Sequence, residues 1–454
     1  MQYTDYYFIG IGGIGMSAIA RYFKHQGFRV SGYDRTPSPL TLQLEKEGIT
    51  IHYEDNVEAI PSDVSHTFVI YTPAVPETLN ELRYVREKGY ALVKRSRALG
   101  EISRGSKCLA VSGTHGKTTV STLLAHILTD CGEGCNAFLG GISKNYGSNL
   151  LLSSNKVLVA EADEFDRSFL QLHPDIAVIT ATDADHLDIY SDLEHVREAF
   201  GQFASQVTEE GFILVKKGVE VPLAGAAAKV LRYSYNEKCD FYASDIRPLD
   251  GGRFDFAINY PEGRIEHCTC GIAGWVNVEN SVAAAAMALL HGVKAEEIRK
   301  ALASFAGVKR RFDIHINTPE CSYIDDYAHH PNEIKAAISS IRNIFPGRKI
   351  CGIFQPHLYT RTRDFADEFA LALSNLDSLI MLQIYPAREE PIEGVSASLI
   401  FDKVALQDKV LISKEQLLDT VAGRDIDCLV TFGAGDIDRF INPIKEQLIS
   451  RYGN

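Results

Sequence analysis

The chain has 454 residues, a net charge of −13 and 45% hydrophobic residues. That length fits about three domains of ordinary size, and the acidic balance argues against broad nucleic-acid binding, which needs clustered basic surface. No apolar run approaches the roughly twenty residues of a membrane span, and the N-terminus lacks a charged-then-apolar signal pattern; the expectation is a cytoplasmic enzyme without membrane insertion, oligomeric state unknown.

In chain order, Tyr7-Phe8-Ile9 reads as a strand. The turn Gly10-Ile-Gly12-Gly13-Ile14-Gly15 follows and opens a helix. This is a dinucleotide-type phosphate loop, and Asp34, closing the next apolar segment, stands where the ribose-binding acid of that fingerprint would. The loop recognises a pyrophosphate and does not say which nucleotide carries it, so NAD and a nucleotide sugar both remain open.

A strand over Cys108–Val111 leads into Gly113-Thr114-His115-Gly116-Lys117-Thr118-Thr119 and a helical pattern through Leu128. Strand, glycine loop and helix together form a triphosphate cradle: backbone N–H groups and the helix N-terminus face the phosphates. Lys117 reaches the outer phosphates and the Thr118 hydroxyl is placed for Mg²⁺. The loop is shortened, with Val111 where the common version has its first glycine. Two phosphate loops in one chain suggest two phosphate ligands, ATP and a nucleotide-sugar substrate.

Two acidic segments follow strand-like runs. Glu161-Ala-Asp163-Glu164 comes after Lys156–Ala160, and Asp183-Ala-Asp185-His186-Leu-Asp188 after Ile176–Thr180. Carboxylates suit a hard cation, and Glu161 and His186 are the candidate Mg²⁺ holders by placement at strand ends. Gly211–Ile272 reads as β-rich, and a helix is expected from about Val278 to His291. Beyond it come a helix near Asn332–Ile344 and strands at Lys349–Phe354, Leu379–Ile384 and Cys428–Phe432. Gly433-Ala-Gly435 reads as a tight strand-to-helix connection rather than a third phosphate loop. The nine cysteines lack paired metal-type spacing and are read as reduced thiols, Cys268 and Cys270 as two faces of a strand.

These segments, with Gly307-Val-Lys-Arg310-Arg311-Phe312, Asp325-Asp326-Tyr-Ala-His329-His330-Pro331 and Phe354-Gln-Pro-His357, give the chain a resemblance to the Mur ligases along nearly its whole length. The resemblance implies an α/β fold of three domains. A Rossmann-like UDP-sugar domain would span residues 1–104. A P-loop ATPase-like central domain, with a parallel sheet plus a smaller β region, would span 105–310, and a Rossmann-like amino-acid domain 311–454. Asp326-Tyr-Ala-His329-His330-Pro331 and Gln355-Pro356-His357 are similar to the alanine-adding branch and to the relative that reattaches recycled tripeptide.

The activity implied is ATP-dependent joining of L-alanine to the lactyl carboxylate of UDP-N-acetylmuramate through an acyl phosphate, a step in peptidoglycan precursor synthesis. By motif, Lys117 stabilises the migrating γ-phosphate, and Thr118, Glu161 and His186 place Mg²⁺. Asn277 and Asn280 match adenine-reading asparagines, Asp326 the acid near the ATP ribose, and Arg311 an arginine reaching the phosphates. Gly12, Gly13, Ile14 and Asp34, with Thr72, Ala74 and Val75, match the UDP-sugar site. His357 and Arg361 match groups facing the amino-acid carboxylate, and His329 lies near the reacting centre as the candidate base. Val276, Leu358 and Ala181 depart from the family pattern, which has histidine, arginine and asparagine there. The first loop argues against the tripeptide-recycling relative, which usually carries a Cys-Gly-Thr type. An NAD-dependent dehydrogenase with a regulatory ATP site would leave Glu161, His186 and the Asp326–Pro331 segment unexplained, and the intact lysine, threonine and acidic set argue against a regulator without catalysis.

Overall fold

The computed structural model describes residues 3–183, 190–387 and 389–452. Its strands form sheets of five, ten and six members. In the first, β1 (Asp5–Ile9), α1 (Ile14–His25), β2 (Arg29–Tyr33), α2 (Pro39–Lys46), β3 (Thr50–His52), β4 (Thr67–Tyr71), α3 (Asn80–Lys88), β5 (Ala91–Lys94) and α4 (Arg95–Arg104) alternate. All its strands are parallel, in the order β3-β2-β1-β4-β5. The order reverses at β1, so the Gly10–Ile14 loop opens into the crevice where such sheets bind ligands.

The second sheet begins with β6 (Lys107–Ser112), followed by α5 (Lys117–Asp130), β7 (Asn136–Phe138), β8 (Leu150–Leu151), β9 (Val157–Ala162), β10 (Ile176–Ile179) and α6 (Leu193–Ala204). It continues through β11 (Phe212–Lys216), β12 (Lys229–Ser234), β13 (Phe241–Pro248), β14 (Phe254–Tyr260) and β15 (Gly263–Thr269). The expected β-rich stretch holds β11–β15: β11 pairs in parallel with β10, and β12 with β11, so it extends the ATP-loop sheet itself. β6 lies between β9 and β10. That single fact brings Glu161–Glu164 and Asp183 to the two sides of the Gly113–Thr119 loop. Helices α7 (Val276–His291) and α8 (Ala295–Ser304) complete this part.

The third sheet holds β16 (Asp313–Asn317), β17 (Ser322–Asp326), β18 (Ile350–Phe354), β19 (Ser378–Leu382), β20 (Lys409–Ile412) and β21 (Cys428–Phe432), in the order β16-β17-β21-β18-β19-β20. Only β16 is antiparallel to its neighbour. α9 (Pro331–Ile344) follows β17, and the short α10 (Tyr359–Asp364) follows β18. Asp326, Phe432 and Phe354 are in register across β17, β21 and β18, so the loops after them emerge side by side. Gly433 and Gly435 close on Gln355: a Cβ at Gly435 would meet Gln355 Oε1 at 2.5 Å, which makes this turn a packing junction.

The chain divides into two compact units. One comprises Met1–Ile246, Asp255–Gly271 and Val278–Gly307; the other Arg247–Phe254, Ile272–Asn277 and Val308–Asn454. Within the first unit, two sheets share one apolar core. Phe8, Ile19 and Leu44 cluster with Phe138, Phe169 and Phe203. Asn149, fully buried, adds a polar tie: its amide donates to Ile14 O at 2.6 Å and Ser17 Oγ at 3.0 Å, and its oxygen accepts from Arg21. Gly100 packs so tightly that a Cβ would lie 2.4 Å from Gln171 O.

All nine cysteines are free thiols, as expected. Cys268 and Cys270 are both buried, which corrects the two-face reading, since residues two apart point to the same side of an extended chain. Among the described residues no helix is long and apolar enough to cross a membrane. Replacing Asn149 with Ala should remove the buried bonds to α1 and lower unfolding stability by about 1–3 kcal/mol, measured as a shift in the urea midpoint. An unchanged midpoint would show that the shared apolar core alone joins the two sheets.

Candidate functional site

Gly10, at φ +86°, lets the Thr72–Val75 turn approach the first loop; a Cβ there would meet Thr72 Cγ2 at 2.6 Å. Thr72 and Val75 are thereby placed over the loop, with Ala74 exposed beside them. Gly12 N donates to Asp34 Oδ2 at 2.7 Å. Asp34 thus braces the phosphate loop's own backbone, in addition to the ribose contact its position suggested. Gly13 is the N-cap of α1, so Ile14 begins that helix. The Arg95 guanidinium lies against the first turn, since a Cβ on Gly15 would be 2.8 Å from its Nη1, and it pairs with Asp163 at 3.6 Å.

The second loop turns between β6 and α5 through Gly113 (φ +130°) and Gly116 (φ +83°). A Cβ on Gly113 would sit 2.1 Å from Thr180 Oγ1, and one on Gly116 3.3 Å from Asn280 Oδ1. Thr180 donates to Ser112 O and His115 O, Thr114 N donates to Ala181 O at 3.0 Å, and Asp183 N donates to Thr114 Oγ1 at 3.1 Å. Ala181 meets the loop through its backbone carbonyl. His115 pairs with Asp183 at 3.2 Å, and Thr119 is half-buried on α5.

Lys117 Nζ donates to Gly113 O at 2.7 Å and meets both oxygens of Glu164 at 2.9 and 2.8 Å. Burial opposes its charge, but Glu164, Asp163 and Glu161 more than offset that, and the ammonium is held well above the ordinary lysine range. Glu164 is 1% exposed. The sequence reading gave it no role; its place three residues after Glu161 was the available signal. Thr118 Oγ1 donates to Glu161 Oε1 at 3.1 Å, and Gly140 N to Glu161 Oε2 at 3.0 Å. β9 runs to Ala162, so Glu161 projects from the strand itself rather than from the loop after it. His186 lies outside the described residues.

Val276 begins α7, and Asn277 and Asn280 on its first turns are both 8% exposed. Asn280 faces the glycine loop, whereas Asn277 donates to Ala273 O at 2.6 Å. In the third sheet, Arg311 and Arg310 cover Tyr327 at 4.8 and 5.2 Å. Arg310 also binds the fully buried Asp325 at 3.3 Å and Gly433 O at 2.6 Å, so it is a packing residue while Arg311 remains the candidate for phosphate. His329 packs edge-on to His357 with ring centroids 6.0 Å apart, and its Nδ1 lies 3.0 Å from Tyr327 O. His330 instead caps α9.

Arg361 is 6% exposed on α10, and its neighbour Arg363 pairs with Asp364. His357 precedes α10 and bridges to Tyr385, so the two do not share a helical face; Leu358 between them takes φ +71°.

Asp326 Oδ1 accepts from Ala328 N at 2.9 Å. Burial pushes its carboxyl up to about 7, more than the nearby Arg311 lowers it. The native chain then keeps a proton that the unfolded chain releases near 3.8, so this residue's contribution to stability falls as pH rises from about 4 to about 7, by about 1.4 kcal/mol per pH unit. Asp326→Asn should flatten that decline, leaving a smaller difference from the parent at pH 5 than at pH 8 in urea titrations. Parallel profiles would mean that Asp326 titrates in the ordinary carboxylate range.

Comparison with known proteins agrees with this geometry. Residues 5–107 match the Mur ligase family catalytic domain, 111–288 the Mur ligase middle domain, and 310–435 the Mur ligase glutamate ligase domain. The chain is 54% identical to the UDP-N-acetylmuramate–L-alanine ligase of Parabacteroides distasonis, covering 98% of this chain and 97% of that one. It is 51% identical to the enzyme of the same name from Porphyromonas gingivalis, covering 97% and 98%. The crystal structure of UDP-N-acetylmuramate-alanine ligase from Thermotoga maritima superimposes with a TM-score of 0.82 at 26% identity, covering 99% of each chain. A murein peptide ligase from Psychrobacter arcticus shares the fold, with a TM-score of 0.72 at 21% identity and 99% coverage of each chain. Glycine loops after the first strands of two parallel-rich sheets, a loop lysine held by carboxylates, and full-length likeness together place this chain in the Mur ligase family.

Proposed function

We propose that the chain uses ATP to join L-alanine to the lactyl carboxylate of UDP-N-acetylmuramate, releasing ADP and phosphate, in cytoplasmic peptidoglycan precursor synthesis. The observation that carries the reading is Lys117, held in a glycine cradle by a buried carboxylate in a chain whose near full-length relatives are named for this reaction. Recycling of a preformed tripeptide is the weaker alternative, because the murein peptide ligase resembles the chain in fold alone.

Three regions, matching residues 1–104, 105–310 and 311–454, divide the substrates. Gly12, Gly13, Ile14 and Asp34, with Thr72, Ala74 and Val75, take the UDP-sugar. Gly113–Thr119, Asn277, Asn280, Arg311 and Asp326 take ATP. His357 and Arg361 take the alanine carboxylate.

Amide formation from a free carboxylate is uphill in water. The lactyl oxygen therefore first bonds to the γ-phosphorus as the bond to the bridging oxygen breaks and ADP leaves. Lys117 and Arg311 stabilise charge on the transferring group without bonding to it covalently. The alanine amine then attacks the acyl carbon, and the tetrahedral intermediate expels phosphate to leave the amide. The amine must shed a proton. His329, whose Nδ1 lies 3.0 Å from Tyr327 O, serves as acceptor through its imidazole. Thr118 and Glu161 are hard oxygen donors in mutual contact and fit Mg²⁺, with His186 as the further holder. A magnesium ion held there would neutralise charge on the terminal phosphates.

Phosphate release with each substrate omitted in turn tests the reading. Turnover should require both the sugar and L-alanine; brisk hydrolysis without the sugar, preference for a tripeptide over L-alanine, or hydride transfer with NADH would overturn it. Lys117→Ala should lower turnover at least about a hundredfold, and activity within a few-fold of the parent would remove the loop from the chemistry. Arg361→Ala should raise KM for L-alanine about tenfold or more while leaving KM for ATP nearly unchanged, because the lost contact belongs to the third substrate.

A further inference from the structure

The turn that carries His357 and Arg361 is held from outside by a segment thirty residues away in sequence. Tyr385 N donates to Pro356 O at 2.8 Å and Leu358 N donates to Tyr385 O at 3.0 Å, so Tyr385 brackets His357 on both sides. The two rings stack with centroids 5.8 Å apart. Glu389 completes the hold. Its Oε2 accepts from Tyr359 N at 2.6 Å and Thr360 N at 3.0 Å, and its Oε1 accepts from Thr360 Oγ1 at 2.5 Å.

These bonds fall where α10 is weakest. The helix has six residues, Leu358 before it is in the left-handed region at φ +71°, and no side chain within the turn caps it. So short a helix has little stability of its own, and its first N–H groups lack partners inside it. A non-glycine residue at positive φ persists only when its surroundings over-determine it. Glu389 supplies the partners for the first N–H groups, and Tyr385 O holds Leu358 N. Arg361 is the next residue after Thr360, so the angle at which α10 leaves the turn decides where the guanidinium lies.

We propose that Glu389 is a positioning residue for the amino-acid substrate: it fixes the first turn of α10 so that Arg361 and His357 converge on the alanine carboxylate, without touching the substrate itself. The proposal rests on the assignment of His357 and Arg361 to the amino acid. It separates Glu389 from its exposed neighbour Glu390.

Steady-state kinetics on Glu389→Ala, Glu389→Gln, Thr360→Val and Arg361→Ala, each with all three substrates varied, test it. Glu389→Ala should raise KM for L-alanine about tenfold and leave KM for ATP and the sugar within about twofold, as expected for loss of hydrogen bonds that orient one site. Glu389→Gln keeps an oxygen able to accept both backbone N–H groups, so it should stay near the parent. Thr360→Val removes only the hydroxyl bond and should raise the alanine KM by a smaller factor, which keeps the idea testable if Glu389→Ala fails to fold. An unchanged alanine KM in Glu389→Ala, an equal rise for all three substrates, or a glutamine variant as poor as alanine would overturn the proposal. If Arg361→Ala raises the alanine KM and Glu389→Ala does not, this proposal alone falls; if neither does, the amino-acid site assignment falls with it.

Discussion

The structure of the ATP-loop region depends on a steric constraint at Gly113. The chain must leave β6 and enter α5 between the ends of β9 and β10, and the Thr180 hydroxyl occupies the place where any Cβ would go. Glycine satisfies this and lets Thr180 bond the loop backbone instead. Once the loop is pinned, α5 begins at Lys117, and its ammonium falls on Glu164 and Gly113 O. Burial alone would favour the neutral amine; ringed by carboxylates, Lys117 stays charged. The same crowding places Glu161 beside Thr118.

Rigidity in the first unit comes from joining two sheets into one core rather than packing two finished domains together. Aromatic residues of both sheets share a cluster, Asn149 reaches α1, and Gly100 allows backbone contact with Gln171. The acidic segment after β9 is tied on one side to Lys117 and on the other to Lys94 and Arg95, which lie at the start of α4. Its Asp166 and Arg167 both adopt φ +53°, a conformation that these surrounding contacts must maintain. Carboxylates that could repel a phosphate ligand are thus held by cations from two different strand ends.

The second unit stores strain at the edges of its candidate site. Arg310 and Phe312 take positive φ just before β16, and Leu358 does so before α10. Each lies next to a residue assigned to a ligand, Arg311 in the first case and His357 in the second. Arg310 offsets the cost by binding Asp325 and Gly433 O, while Leu358 is held by Tyr385 and the two residues after it by Glu389. The residues that hold the turns are distinct from those that would face the substrates.

The sequence by itself determined the α/β alternation, the two phosphate loops, the α9 helix and the β18 and β21 strands, because apolar periodicity, glycine spacing and flanking acids are local properties. It also carried the family resemblance, through motifs short enough to read along the chain. It did not determine that the β-rich stretch continues the ATP-loop sheet, that Asp34 braces Gly12, or that Cys268 and Cys270 are buried together. Nor could it select Glu164 over Asp163, or Glu389 over Glu390, as the carboxylate that holds its partner. Those outcomes belong to tertiary structure: strand order sets which carboxylate meets which cation, and backbone N–H groups left open at the start of a short helix attract an acceptor from a distant segment. Pattern along a chain fixes which chemistry is present; the order of strands in a sheet fixes which groups touch.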